Sequence, residues 1–258
     1  IVIGIRVIRL NYQNRIIKCL KSLGIKKNDV IFCHSRMVFF NNFNIRNPKK
    51  ICEIFLNSFL KILGKKGVFS VPLFTYDHTK RKIFDQNNIK TNSGILGNYI
   101  LKKKYLKIYP DPNLAVGIFE QEKNFSYLKN YDPYDEHSFF AKLNKKKGKI
   151  CFINIGPTST FIHYIERTLK VNYRYNKEFK GKILINKKRK NLNSFLFVKK
   201  RKFKNPHPTL KFEKIVYKSK KLKLKKFDGG FISIISAKNY KQIIKKIIQK
   251  DKDFFIKN

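Results

Sequence analysis

The chain has 258 residues, 42% of them hydrophobic, with 24 Phe and 13 Tyr. That is enough apolar material for one large α/β unit or two small ones, and too much for a disordered chain. Lys and Arg number 59 against 16 Asp and Glu, a formal charge of +43, an excess that normally suggests nucleic acid or an anionic membrane as partner.

In chain order, Asn11 to Leu23 carries Ile16, Ile17, Leu20 and Leu23 on one face and predicts an amphipathic helix ended by Gly24. Asp29 to Cys33 reads as a buried strand running into His34-Ser35-Arg36-Met37. Small polar residues and open amides at a strand end can hold a phosphate or a thioester oxygen. Asn47-Pro48 starts a helix whose apolar face runs from Ile51 to Leu63 and which Gly64 closes. Gly67 to Leu73 is a second strand leading into Phe74-Thr75-Tyr76-Asp77, and Phe84-Asp85 follows in a loop. Ser93 to Gly97 opens a helix that ends at Lys102–Lys104. Tyr109-Pro110-Asp111-Pro112 is a rigid turn before the strand Leu114 to Phe119. Tyr131 to Asn144 predicts a short helix.

The stretch Cys151 to Phe179 is the centre of the reading. The apolar run Ile150 to Ile155 predicts a buried strand, Gly156-Pro157 breaks it, and Thr158, Ser159 and Thr160 offer hydroxyls where a helix begins. Thr160, His163 and Glu166 then recur every third residue, which stacks a hydroxyl, an imidazole and a carboxylate on one helix face. An ordinary half-buried helix with an internal His–Glu bond would show the same pattern. Beyond Phe179, short β-like runs (Gly181–Ile185, Phe195–Lys199, Ile215–Lys218, Phe231–Ile235) alternate with Lys clusters at Lys187–Lys190, Lys199–Lys204 and Lys218–Lys226. Gly229-Gly230 is a tight turn, and Ala237 to Ile248 closes the chain as an amphipathic helix. With no repeat and no linker, one domain spanning 1–258 is the economical expectation.

The charge has two readings. It can mark a polyanion partner, or it can follow from composition: ten of the basic residues are Arg and the rest Lys, Trp is absent, and Met appears once. Ile, Asn, Phe, Tyr and Lys all have AT-rich codons, so an AT-biased genome pushes exposed positions toward Lys. The four Cys are far apart, in no zinc or redox spacing, and read as reduced core residues of a cytoplasmic protein. No apolar run approaches the roughly 18 residues that span a bilayer, and the start does not resemble a signal peptide. No P-loop, nucleotide fingerprint, nucleophile elbow or His-Glu-x-x-His occurs.

Taken together, the strand into His34-Ser35, the strand into Pro72-Leu73-Phe74-Thr75, Phe84-Asp85, Ser93-Gly94-Ile95-Leu96-Gly97, Asp111-Pro112, Thr160-x-x-His163-x-x-Glu166 and Tyr173-Arg174-Tyr175-x-Lys177 resemble, in that order, the aminoglycoside 3-N-acetyltransferase family. The resemblance covers residues 18–180 and extends more loosely to the closing helix. It implies an α/β fold, a three-layer α/β/α arrangement around a mixed sheet. It also implies acetyl transfer from acetyl-CoA, with no metal, to an amine of an amino sugar. His34, Ser35, Arg36, Thr75 and Thr160 would then serve the coenzyme, and Glu166, His163 and Asp111 the chemistry. Where the family has His-Pro followed by Ser, this chain has Asp111-Pro112 and Ala115, an Asp-Pro variant that leans toward amino sugars of surface polysaccharides. In the expected mechanism Glu166, its pKa raised by its pocket, is the base. His163 orients it or shuttles the proton, Asp111 binds the substrate ammonium, and amides near Ser35 or Thr75 hold the oxyanion. The alternatives are a basic nucleic-acid-binding protein, a metal-dependent hydrolase using His163, Glu166 and Asp111 or His78, and an inactive family member. The expected partners are a small amino-sugar acceptor, no membrane, and nucleic acid only through non-specific charge. Self-association is left open.

Overall fold

The computed structural model describes residues 2–37, 47–121, 125–203 and 208–256, with side chains from residue 11 onward. Helix α1 (Val2–Ser22) begins well before the expected Asn11 and leads into β1 (Val30–Ser35). Helix α2 (Pro48–Leu63) starts as its sequence predicts, with the Asn47 side chain accepting from the Lys49 amide and Pro at the first turn. Then come β2 (Val68–Pro72), β3 (Ile83–Asp85), α3 (Gly94–Ile100), β4 (Lys107–Tyr109), β5 (Val116–Phe119), α4 (Phe139–Lys145), β6 (Lys149–Ile153) and α5 (Phe161–Thr168). The remainder is β7 (Arg174–Ile185), β8 (Lys188–Lys199), α6 (Thr209–Lys218), β9 (Lys223–Phe227), β10 (Gly230–Ser236) and α7 (Ala237–Lys250).

A seven-stranded sheet in the order β4-β5-β2-β1-β6-β10-β9 forms the middle layer. Strands β2, β1 and β6 run parallel at its centre, and β5, β4, β10 and β9 are antiparallel additions, so the sheet is mixed. Side-chain alternation along β1 builds two cores. Val30 and Phe32 join α4, α5 and α7 on one face, whereas Ile31 and Cys33 join α1 and α2 on the other. This is the expected three-layer arrangement. All four Cys are buried and unbridged. Among the described residues no helix is long and apolar enough to cross a membrane.

Several expectations are corrected. Phe84-Asp85 is not loop but strand β3, paired in parallel with β7. The helix expected from Tyr131 begins only at Phe139. Before it, Asp132 and Asp135 bend the chain by accepting from the Tyr134 and His137 amides at 3.0 and 2.8 Å. Ser138 then caps α4 by accepting from the Ala141 amide. Ile215–Lys218 is the end of helix α6, whose Phe212 and Val216 sit four apart and are both fully buried. The separate runs at Gly181–Ile185 and Phe195–Lys199 are the ends of a twelve-residue-armed hairpin, β7–β8. Its two-residue turn, Asn186-Lys187, has both φ angles positive, at 48° and 63°, as a type I′ turn requires. The Lys clusters hid the first part of β8 and all of β9, and Lys204 lies outside the described residues.

Candidate active site

The carboxyl ends of the parallel strands converge on one cleft of about 1040 Å³, where open α/β sheets place their ligands. His34, Ser35 and Arg36 bring β1 to it, Pro72 and Phe74 bring β2, and Thr158 to Thr160 lead from β6 into α5. His163 on α5, Arg174 at the start of β7 and Lys199 at the end of β8 complete one side. A smaller hollow of about 740 Å³, around Gly64–Gly67 and Lys104–Lys107 near the amino end of β2, holds no histidine.

The helix-face triplet divides between cleft and core. Thr160 and His163 line the cleft, while Glu166 beneath them has no exposed surface. His163 Nδ1 lies 2.7 Å from Glu166 Oε2, and the Tyr173 hydroxyl donates to Oε1 at 2.8 Å. Arg174 Nε approaches Oε2 at 2.7 Å, an ion pair without the alignment of a hydrogen bond. Burial pushes the Glu166 pKa up, but the His163 hydrogen bond, the His163 and Arg174 charges and the Tyr173 hydroxyl outweigh it, and the net shift is down. The expected rise is thus reversed, and Glu166 is held as a carboxylate. Burial, then the Arg174 charge, lowers the His163 pKa against the opposing pull of Glu166. A neutral imidazole that donates from Nδ1 to a carboxylate keeps its Nε2 lone pair. The ring is steadied by Tyr134, edge-on at 6.1 Å.

The loop before α5 is tied from both sides. His34 Nε2 lies 2.8 Å from Ser159 Oγ, its ring stacks on Phe152, and burial pushes its pKa down to about 4. From α7 the Tyr240 hydroxyl donates to the Pro157 carbonyl and accepts from the Ser159 amide, both at 3.1 Å. Tyr240 was not singled out from sequence, where it is one core position of an amphipathic helix. Tyr173 and Arg174 appeared there only as motif residues without a role.

Besides Glu166, two expected site residues do not line the cleft. Thr75 is buried, its hydroxyl donating to the Pro112 carbonyl at 2.7 Å and its amide to the Asn113 carbonyl. That amide is therefore not open to an oxyanion, and the Arg36 amide is likewise bonded to the Ile153 carbonyl. Asp111 is fully buried. Its Oδ1 accepts from the Asn113 and Leu114 amides at 2.9 and 2.8 Å, Oδ2 has no partner, and burial raises its pKa to about 7. This geometry does not carry a direct contact between Asp111 and a substrate ammonium. Among the described residues no group of three His, Cys, Asp or Glu side chains is placed to hold a metal.

The sequence profile of the aminoglycoside 3-N-acetyltransferases matches residues 33–249. The chain belongs to that family. A search of curated proteins found no match. Among solved structures, aminoglycoside acetyltransferase AAC(3)-Xa superposes with a TM-score of 0.77 at 13% identity, over 95% of this chain and 94% of that one. AAC-IIIb, solved as a binary complex with CoASH, gives 0.77 at 13% over 92% and 96%. AAC-VIa bound to sisomicin gives 0.77 at 12% over 92% and 97%. At such identities the likeness to these structures is one of fold.

Proposed function

We propose that this cleft transfers the acetyl group of acetyl-CoA to a primary amine of an amino sugar, with His163 as the base. The observation that carries the reading is the His163–Glu166 pair: a neutral imidazole lining the cleft, backed by a fully buried carboxylate held ionised. Membership of the family and the CoASH complex of a structural neighbour support the coenzyme.

The roles of the pair are exchanged relative to the sequence expectation. An amine at neutral pH is mostly protonated and must lose its proton to attack. His163 Nε2 accepts a proton from the amine as its nitrogen bonds to the thioester carbonyl carbon. Glu166 keeps the other ring nitrogen protonated and stabilises the imidazolium, as the carboxylate of a Ser-His-Asp triad does. Collapse of the tetrahedral adduct breaks the carbon–sulfur bond, and the imidazolium returns the proton to the leaving thiolate. The products are the amide and free coenzyme A, with no covalent acyl-enzyme. Thr160, one turn before His163, is the cleft-lining hydroxyl nearest the base in sequence and serves as a donor to the developing oxyanion.

The test compares two variants by thiol release and by calorimetry with acetyl-CoA. His163→Asn is expected to lose about 10³-fold in turnover and Glu166→Gln about 10²-fold or more, both with coenzyme binding intact. Turnover of His163→Asn near the wild-type value would remove His163 from the role.

A further inference from the structure

We infer that the Tyr76 hydroxyl, in the loop after β2, is a second hydrogen-bond donor to the thioester carbonyl oxygen, joining Thr160 of the loop before α5. The inference rests on the acetyl-transfer reading and adds a catalytic residue to it. An oxyanion needs donors, and the backbone at the ends of β1 and β2 offers few. The Arg36 amide is bonded to the Ile153 carbonyl, the Phe74 amide to the Ser93 hydroxyl oxygen, and the Thr75 and Tyr76 amides to the Asn113 carbonyl. Side-chain hydroxyls must take their place. Of those lining the cleft, Thr158 is held by Glu213 and Ser159 by His34. Tyr76 lines the cleft too, and its hydroxyl, like those of Ser35 and Thr160, has no hydrogen-bond partner among the described residues.

Two observations mark out Tyr76. The first is its backbone, with φ at +55°, a region that a bulky side chain enters only under strain. The angle is held by the Asn113 carbonyl, which takes the Thr75 and Tyr76 amides, and by the Pro112 carbonyl, which takes the Asp77 amide at 2.9 Å. Glycine would adopt that angle freely, and a side chain 38% exposed is no core position. Neither backbone nor packing calls for an aromatic residue here. The second observation is where the phenol stands. Phe74 meets the ring edge-on at 6.1 Å, and the Lys80 ammonium, itself bonded to the Thr75 carbonyl, lies 5.9 Å from its centre. Tyr134, edge-on to His163, has its pKa raised by burial and then by Tyr76, which puts the phenol at the His163 end of the cleft. Burial also raises the pKa of Tyr76, so the hydroxyl keeps its proton to donate. As the amine nitrogen bonds to the carbonyl carbon, a pair of electrons moves onto the oxygen, and a donor fixed there in advance stabilises that charge. Tyr76 gives a hydrogen bond only, and the proton stays with His163.

The experiment compares the intact protein with Tyr76→Phe, which keeps the ring and the backbone angle and removes only the hydroxyl. With glucosamine or sisomicin as acceptor and thiol release as the readout, kcat is expected to fall about 10²-fold. KM for acetyl-CoA should stay within about twofold, and the melting temperature should not change. A loss of kcat smaller than about tenfold, or a loss carried by KM alone, would overturn the inference. Infrared spectroscopy of bound acetyl-CoA, isotope-labelled at the thioester carbonyl, reads the same contact without an acceptor. If neither amine turns over, that spectrum decides. A carbonyl stretch at lower frequency on the wild type than on Tyr76→Phe upholds the inference and sinks acetyl transfer to these amino sugars. Equal frequencies on the two proteins, or no binding of acetyl-CoA, overturn it.

Discussion

Asp111 carries a proton balance that its sequence setting conceals. Its carboxyl is fully buried, with one oxygen capped by two amides and the other unpartnered, and its pKa rises from 3.8 to about 7. Over that interval the folded state holds a proton that the unfolded state has lost. The contribution of Asp111 to stability is therefore fully present below about pH 4 and is lost as pH rises through about 7. Asp111→Asn keeps the capping oxygen and removes the ionisation. Urea unfolding should show this variant gaining on the wild type between pH 4 and pH 7, by on the order of a few kcal/mol. A gap that does not vary with pH would contradict the account. His163 titrates in the catalytic cycle with a lowered pKa. The acid limb of kcat/KM should accordingly fall below the ordinary histidine value of about 6.5 and disappear in His163→Asn. Three-residue spacing was enough to place Thr160, His163 and Glu166 together. Their protonation was not legible, because Tyr173 and Arg174 reach Glu166 from beyond the helix. The burial of Asp111 was also hidden, since Pro110 and Pro112 mark only a rigid turn.

At the scale of elements, the β7–β8 hairpin brings Arg174 and Lys199 to the cleft, and its anchorage is a buried polar chain. His78 Nδ1 lies 2.8 Å from Ser194 Oγ on β8, which accepts from Asn113 Nδ2 at 3.0 Å, and His78 Nε2 lies 3.2 Å from the Lys182 carbonyl on β7. The His78 ring fills the space beside Gly181, so a Cβ there would meet its atoms at 2.5 to 2.7 Å. Because the ring is pinned from two sides, it cannot swing aside without breaking those contacts. Gly181→Ala is expected to cost about 1–3 kcal/mol in chemical unfolding. It should also raise KM for the acceptor more than for acetyl-CoA, and an unchanged melting profile would show that the ring is free to move. The parallel core strands were readable from their apolar runs, as were α2 from its Asn-Pro cap and α7 from its periodicity. The hairpin arms were readable only at Gly181–Ile185 and Phe195–Lys199. Exposed Lys on alternate positions replaced the apolar alternation that marks a half-buried strand, and the register with β3 is a tertiary fact.

For the whole molecule, a charge of +43 creates a long-range field that draws in an anionic coenzyme before any contact forms. Stopped-flow association with acetyl-CoA should slow steeply as ionic strength rises from low salt to about 0.15 M, where the Debye length shortens to about 8 Å. The dissociation rate should change little. Loss of affinity entirely through faster dissociation would mean that the charge acts locally.

Strand β9, Lys-Leu-Lys-Lys-Phe at residues 223–227, ends the seven-stranded sheet with four of its five residues exposed. An open rim of this kind presents unpaired amides and carbonyls to any passing chain, and the lysines along it repel a second copy of the same rim. A genome that favours AT-rich codons supplies Ile, Phe and Asn as readily as Lys. Lysine on this strand therefore keeps molecules apart at high protein concentration. Exchanging Lys223 and Lys225 for Ile would turn the rim into a template for stacking sheets end to end.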